Sequence, residues 1–201
     1  SLGISISDKV TAWNRLRFSY KLERNNDRYL QETKRLNAFL KKESENNPKD
    51  LSIKKLWVDN QINLARILWT QHENKQAKKR LIDLLKNEIE DPHLLVNIYR
   101  SLAGILFEEK DLESALEYYL KIKDYNIKND DLIEEINWSI GAIFMMQNKF
   151  AEAAYTFESF KKETNNSSFL YKMIYWEGKA LFRNNEIEKA KILWEKLTND
   201  D

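Results

Sequence analysis

Small residues recur along this chain at Ala77, Ala115, Ala153 and Ala190, separated by 38, 38 and 37 positions. Four residues after each stands a large apolar one: Leu81, Tyr119, Phe157 and Trp194. Twelve residues upstream of each lies a second small residue, at Ala65, Ala103, Gly141 and Gly178, and three further on come Leu68, Leu106, Phe144 and Leu181. A period of this length means that one supersecondary unit is copied, and that each copy buries its apolar face against its neighbours. A small residue on one helix and a small residue on the next let two backbones approach, while large residues around them fill the gap. Gly178 shows the strength of that demand, since a glycine inside a helix costs roughly 1 kcal/mol relative to alanine. Gly104 falls one position after Ala103 and lies outside the register.

Within each period, apolar residues recur at spacings of three and four, the signature of amphipathic helices. The pattern predicts ten helices in five hairpins, at 7–24 and 27–45, 50–71 and 75–88, 92–108 and 111–124, 130–147 and 149–163, and 167–184 and 186–198. Ser7, Asp27, Asp50, Asp111 and Ser167 mark helix starts, and Pro92 stands just inside one. Connections within hairpins are short and polar, as in the Arg-Asn-Asn runs at 24–26 and 183–185, which makes consecutive helices antiparallel neighbours. Only 4 Gly and 2 Pro are present, too little turn chemistry for a β-sandwich or a glycine-rich phosphate loop. The expected fold is all-α: a right-handed α-solenoid of about five antiparallel hairpins forming a single helical-repeat domain over 1–201. Residues 1–47 make a divergent first hairpin, and 50–201 hold four repeats of about 37–38 residues.

Other features exclude whole classes of function. No apolar run approaches the ~20 residues that span a bilayer, and the opening Ser-Leu-Gly-Ile-Ser-Ile-Ser has no signal-peptide character. With no cysteine, thiolate metal sites and disulfides are out. His72 and His93 sit in no metal-ligand spacing, so no cofactor or metal is expected. Residues 1–90 hold 19 Lys or Arg against 12 Asp or Glu, a net of +7, while 91–201 hold 14 against 20, a net of −6. The densest basic run, Lys75 to Arg80, lies on a helix whose opposite face is Ala77, Leu81 and Leu84. It reads as a solvated face rather than a nucleic-acid footprint.

The placement of small and large residues over about 58–201 resembles the tetratricopeptide repeat, a helix–turn–helix unit. The period here is longer than that family's, and the proline that closes its repeats is missing. The last unit, Tyr175 to Leu197, looks like the terminal repeats of the superhelix in bacterial soluble lytic transglycosylases, with its Tyr-Trp pair, Gly178, an Ala-Leu and a later Ala and aromatic. That likeness implies a noncatalytic part of a peptidoglycan-processing enzyme in the periplasm or cell envelope, continuing C-terminally into a catalytic module. A stand-alone cytoplasmic scaffold or adaptor, binding a protein or peptide in its groove, is the other open reading. The exposed apolar character of Ile192, Leu193 and Leu197 leans toward continuation.

Catalysis by this chain itself is not expected. That family's acid is a Glu-Ser with a Gly-Leu-Met-Gln segment nearby; Glu43-Ser44 and Glu158-Ser159 occur here, but the segment does not. Glu158 falls in solvent-facing register on a repeat helix, whereas an acid catalyst needs a desolvated cleft. The repeat resemblance implies that first helices line a concave ligand surface. Its positions are Asp59, Ile62, Arg66 and Trp69, then Asn97, Arg100 and Phe107, then Trp138, Ala142 and Met145, and finally Lys172, Tyr175, Lys179, Phe182 and Arg183. Trp69, Trp138 and Phe107 are equally open to packing between repeats. The family's carboxylate clamp is not reproduced, because only Lys172 matches and Trp176 stands where an arginine is expected. If Gly178 is a packing contact, Gly178→Leu should destabilise the last hairpin by ~1–3 kcal/mol and loosen it before the middle repeats. Hydrogen exchange and thermal melting unchanged by the substitution would count against that role.

Overall fold

The computed structural model describes residues 3–125, 128–162 and 166–199. Among them the chain forms ten α-helices and no strand: α1 (Ile6–Leu22), α2 (Asn26–Asn46), α3 (Leu51–Thr70), α4 (Asn74–Leu85), α5 (Pro92–Glu108), α6 (Leu112–Lys123), α7 (Asp130–Met146), α8 (Phe150–Lys161), α9 (Ser167–Arg183) and α10 (Ile187–Asn199). None is long and apolar enough to cross a membrane. The chain divides into two compact units, Ser1–Ile105 and Leu106–Asp201, the division falling inside α5.

Helix starts follow the capping chemistry, with three corrections. Asp50 accepts from the backbone N–H groups of Ser52 and Ile53, and Asp111 from Ser114. Asp91 does the same for His93 and Leu94, with Pro92 in the first helical position. Ser5 caps α1 in place of Ser7, Asn25 caps α2 in place of Asp27, and Asn166 caps α9 in place of Ser167. In each case a Ser or Asn slightly upstream reaches the free N–H first, since its oxygen needs an extended backbone just outside the helix. The displaced Asp27 remains useful as a negative charge in the first turn.

Every hairpin turns in the same way. Arg24, His72, Lys110, Asn148 and Asn185 all have positive φ, between 55° and 66°. The residue after each donates its backbone N–H to a carbonyl five positions back, as from Glu73 to Leu68 at 2.9 Å and from Lys149 to Phe144 at 2.9 Å. The left-handed residue itself bonds three back, as from His72 to Trp69 at 2.9 Å. This double bond closes a helix by satisfying its last carbonyls, and glycine is the usual occupant of the left-handed position. Here no hairpin uses glycine: Asn148 and Asn185 tolerate the left-handed region, whereas Arg24, His72 and Lys110 are held there at a cost.

In unit 1, Val10, Leu36 and Leu40 form a core cluster against which Trp13, Phe39, Leu56 and Trp57 pack. Ala65, Ala77, Leu81 and Ala103 are fully buried, as the repeat requires. Gly104 has its own reason to be small: a Cβ there would lie 2.4 Å from the Trp69 ring. In unit 2, Ala153, Phe157, Phe160, Phe169, Met173 and Ala180 form the core, with Trp138, Phe144 and Trp176 around it. A Cβ on Gly141 would meet the Phe157 ring at 2.3 Å, and one on Gly178 would meet Trp194 Nε1 at 2.4 Å. The pairing is therefore small against large, the aromatic of the second helix lying on the glycine of the first.

Lys161 and Glu177 form an ion pair at 2.5 Å, with the carboxylate side buried. Desolvation pushes the Glu177 carboxyl above its ordinary value and outweighs the opposing pull of Lys161. Folding therefore favours the protonated form. Its contribution is fully present below the unfolded pKa and is lost as pH rises through the raised folded pKa. Urea unfolding from pH 4 upward should show wild type losing stability relative to Glu177→Gln with rising pH, then running parallel to it; a relative gain with pH would contradict the assignment. His72→Gly should raise stability by about 0.5–1 kcal/mol by relieving the left-handed strain, and an unchanged denaturation midpoint would contradict it.

Candidate recognition surfaces

In unit 1 the first helices of the hairpins carry a strip of polar side chains. Arg17 of α1 is buried and donates to Asn60 Oδ1 at 2.9 Å, Thr33 Oγ1 at 3.3 Å and Asn14 Oδ1 at 2.5 Å. Asn60 of α3 in turn donates to the Thr33 carbonyl at 3.2 Å. One turn and a half further along α3, Arg66 donates to Ser101 Oγ at 3.1 Å and Asn97 Oδ1 at 2.9 Å of α5. Asp59 sits between the two arginines. It accepts from Asn63 at 3.3 Å, and desolvation raises its carboxyl above the usual range despite the attraction of Arg66 and Arg17.

The sequence positions Asp59, Arg66 and Asn97 thus come together, and Arg100 lies half-buried one turn along α5 from Asn97. Ile62 is buried in the core and so does not face outward, while Trp69 is half-buried with its ring against Gly104. Arg17, Thr33 and Asn60 were not singled out by sequence. The first hairpin departs from the repeat, so no register pointed to Arg17, and polar residues within an apolar helix face carry no periodic signal. At the N-terminal ends of α1, α3 and α5 a hollow of about 640 Å³ opens, lined by Ile6, Ile53, Leu56, Asp59, Asp91 and Leu94. Lys55 closes one side through an ion pair with Asp91 at 2.9 Å.

In unit 2 the corresponding helices α7 and α9 present aromatic rings and cations. Trp138 and Trp176 meet edge to face, with ring centroids 6.3 Å apart at 83°. Lys172 Nζ lies 4.3 Å from the Trp138 ring centroid, and Lys179 Nζ lies 4.4 Å from that of Trp176. Tyr175 stands edge to face against Trp176 at 5.7 Å, and Arg183 lies 5.1 Å over Phe150. Burial pushes the Lys172 amine below its ordinary value, partly offset by Glu134. Tyr175 is 47% exposed and Phe182 48%. Met145 packs against the core, and Phe107 lies under Lys110 at 5.8 Å.

Cations lie over rings elsewhere in unit 2 as well, as Lys121 over Tyr118 and Lys123 over Phe160 do, but on this face they lie over the two tryptophans. Lys121, Lys162, Lys189 and Lys191, on second helices or just beyond, pair with glutamates three or four positions away. Lys179 and Arg183 meet rings and have no carboxylate partner among the described residues. A cation on an indole face is held by the ring quadrupole while its N–H donors stay available. Trp176, noted in the sequence only as the residue displacing a clamp arginine, is the centre of this arrangement. Glu158 is exposed and pairs with Lys162 at 3.5 Å, without the desolvated cleft an acid catalyst requires. No group of three or more His, Asp or Glu able to hold a metal occurs among the described residues.

No family model and no curated protein matches the sequence. Solved structures match the fold. A tetratricopeptide repeat protein from Parabacteroides merdae superposes with a TM-score of 0.65 at 14% identity, covering 94% of this chain and 67% of that one. The MamA protein gives 0.64 at 11% identity, over 95% and 91%. PlcR of Bacillus thuringiensis, solved in complex with the peptide PapR7 and DNA, gives 0.55 at 12% identity, over 98% and 73%. At these identities the likeness establishes the fold and nothing finer: this chain has the all-α, tetratricopeptide-like helical-repeat fold.

Proposed function

We propose that the chain is a noncatalytic helical-repeat scaffold that binds a protein or peptide partner, with the α7/α9 face of unit 2 as a principal contact. The observation that carries this reading is the pair of edge-to-face tryptophans, each with a lysine on its ring, beside the exposed Tyr175 and Phe182. Aromatic side chains bring large contact area at small entropic cost, and binding energy concentrates on such anchors. Within unit 1, Asp59, Arg66, Asn97 and Arg100 form a separate candidate contact rich in hydrogen-bonding groups. PlcR, of similar fold, was solved with a peptide, which supports this reading by analogy of fold.

The narrower reading, a part of a peptidoglycan lytic transglycosylase in the cell envelope, rests on the sequence likeness of Tyr175–Leu197, and none of the structures named above is described as such an enzyme. The scaffold is the reading we put forward. Affinity capture from the source cells with quantitative mass spectrometry tests it. A partner recovered with wild type should fall at least about ten-fold with Tyr175→Ala combined with Phe182→Ala, a loss of ~1.4 kcal/mol or more. It should persist with Tyr155→Ala, since Tyr155, 72% exposed, belongs to α8 and not to α7 or α9. Equal recovery with all three proteins would contradict the proposal.

A further inference from the structure

A cavity of about 450 Å³ opens on the α3/α4 hairpin of unit 1, lined by Trp57 and Gln61 of α3 and by Gln76, Lys79, Arg80 and Asp83 of α4, among others. Two of the lining residues also hold an unpaired donor: Arg80 Nε and Trp57 Nε1 are both buried, and neither has a hydrogen-bond partner among the described residues. Buried N–H groups are nearly always paired, because each one left unpaired forfeits its bond to water. Arg17 shares the unpaired Nε, but Arg80 also borders the cavity: its Nη1 donates to Gln61 Oε1, a neutral acceptor, and among the described residues it forms no ion pair with a carboxylate. Desolvation alone lowers its proton affinity, with no opposing acidic neighbour.

Several other buried or half-buried cations do have carboxylates near them. Arg17 and Arg66 feel Asp59, and Lys161 pairs with Glu177. The one carboxylate lining the cavity is already committed: Asp83 binds Lys86 at 2.6 Å, and that bond holds its carboxyl below the usual range. Gln76 is turned toward Glu73, donating at 2.9 Å. Lys79 adds a second positive charge at the rim. Unit 1 as a whole is cationic, with 20 Lys or Arg against 13 Asp or Glu over residues 1–105, a field that draws anions inward.

We propose that this cavity is an oxyanion-binding site, in which Arg80 and Lys79 hold a carboxylate or phosphate group against the Trp57 indole. Guanidinium presents its donors in a fork that matches the paired oxygens of either group, which makes Arg80 the central residue. The placement of Arg80 explains why sequence alone missed it. Within the run Lys75 to Arg80, the helical period puts Ala77, Leu81 and Leu84 inward, and Arg80 flanks that stripe three residues after Ala77 and four before Leu84. It is half-buried at the seam rather than solvated with its lysine neighbours.

The test is a titration of the intact ¹⁵N-labelled chain with inorganic phosphate and, separately, with succinate, ionic strength held constant with sodium chloride. The reporters are the Trp57 indole Nε1–H and Arg80 Nε–H resonances. Saturable shifts of both are expected, with a Kd of roughly millimolar or tighter. Saturation by phosphate alone would assign a phosphate group, and saturation by succinate a carboxylate. Arg80→Gln should weaken binding at least about ten-fold and Lys79→Gln about three-fold, corresponding to loss of a charge-assisted bond and of a rim charge respectively. Lys79 is exposed, so its variant decides the matter if Arg80→Gln disturbs folding. Shifts that stay linear in both anions, that chloride reproduces at equal ionic strength, or that survive unchanged in both variants would overturn the site.

Discussion

The contact on which the rest of this structure depends is a large ring laid against a residue with no side chain. Phe157 lies where a Cβ on Gly141 would be, Trp194 where one on Gly178 would be, and Trp69 where one on Gly104 would be. Such contacts fix the distance between helices, because a protein interior at crystal-like density cannot absorb an extra methyl without displacing a neighbour. Once two helices are held at that distance, the side chains on their outward faces are fixed too. Trp194 also donates from Nε1 to the Tyr175 carbonyl at 3.3 Å. The same ring that fills the space beside Gly178 thereby ties α10 to the turn of α9 that presents Tyr175.

Positive charges on the helix faces are handled in more than one way. In unit 2, Lys121, Lys162, Lys189 and Lys191 are matched by glutamates three or four positions away, an arrangement worth a few tenths of a kcal/mol that mainly keeps the face solvated. On α9, Lys172 and Lys179 lie instead on the indoles of Trp138 and Trp176. Their charge stays available to a partner while the rings supply area. In unit 1, arginines are drawn into the helix seams, where Arg17 and Arg66 stitch α1 to α3 and α3 to α5 through neutral amides and hydroxyls. Arg80 is likewise bonded to a neutral amide, that of Gln61, but it borders a cavity, and that is the place proposed for a bound anion.

The architecture was legible because the repeat is written in residues whose size alone carries meaning. All ten helices lie within a few residues of the spans expected from periodicity, since an apolar stripe and a capping residue are local signals. The turns were legible as breaks but not as left-handed: Arg24, His72 and Lys110 give no hint of positive φ, because the second helix imposes that conformation on them. Gly104 could be seen to be out of register, yet only the path of Trp69 from the preceding first helix explains it. The candidate surface was legible in part. Tyr175 is exposed and Lys172 and Lys179 lie over tryptophan rings, while Ile62 is buried and half-buried Trp69 lies against Gly104. Orphaned donors such as Trp57 Nε1 leave no trace in a sequence, because they are defined by what is missing around them.

The interlock of ring and glycine is tested most directly by a double-mutant cycle on Gly178 and Trp194. Gly178→Ala, Trp194→Phe and the double variant would be compared by urea unfolding. If the Trp194 ring occupies the space a side chain at 178 would need, the smaller phenyl ring should relieve the clash. The double variant should then be more stable than the sum of the single changes predicts, with a coupling of about 1 kcal/mol. Additivity within about 0.3 kcal/mol would mean that the two positions do not compete for the same space, and would contradict the interlock.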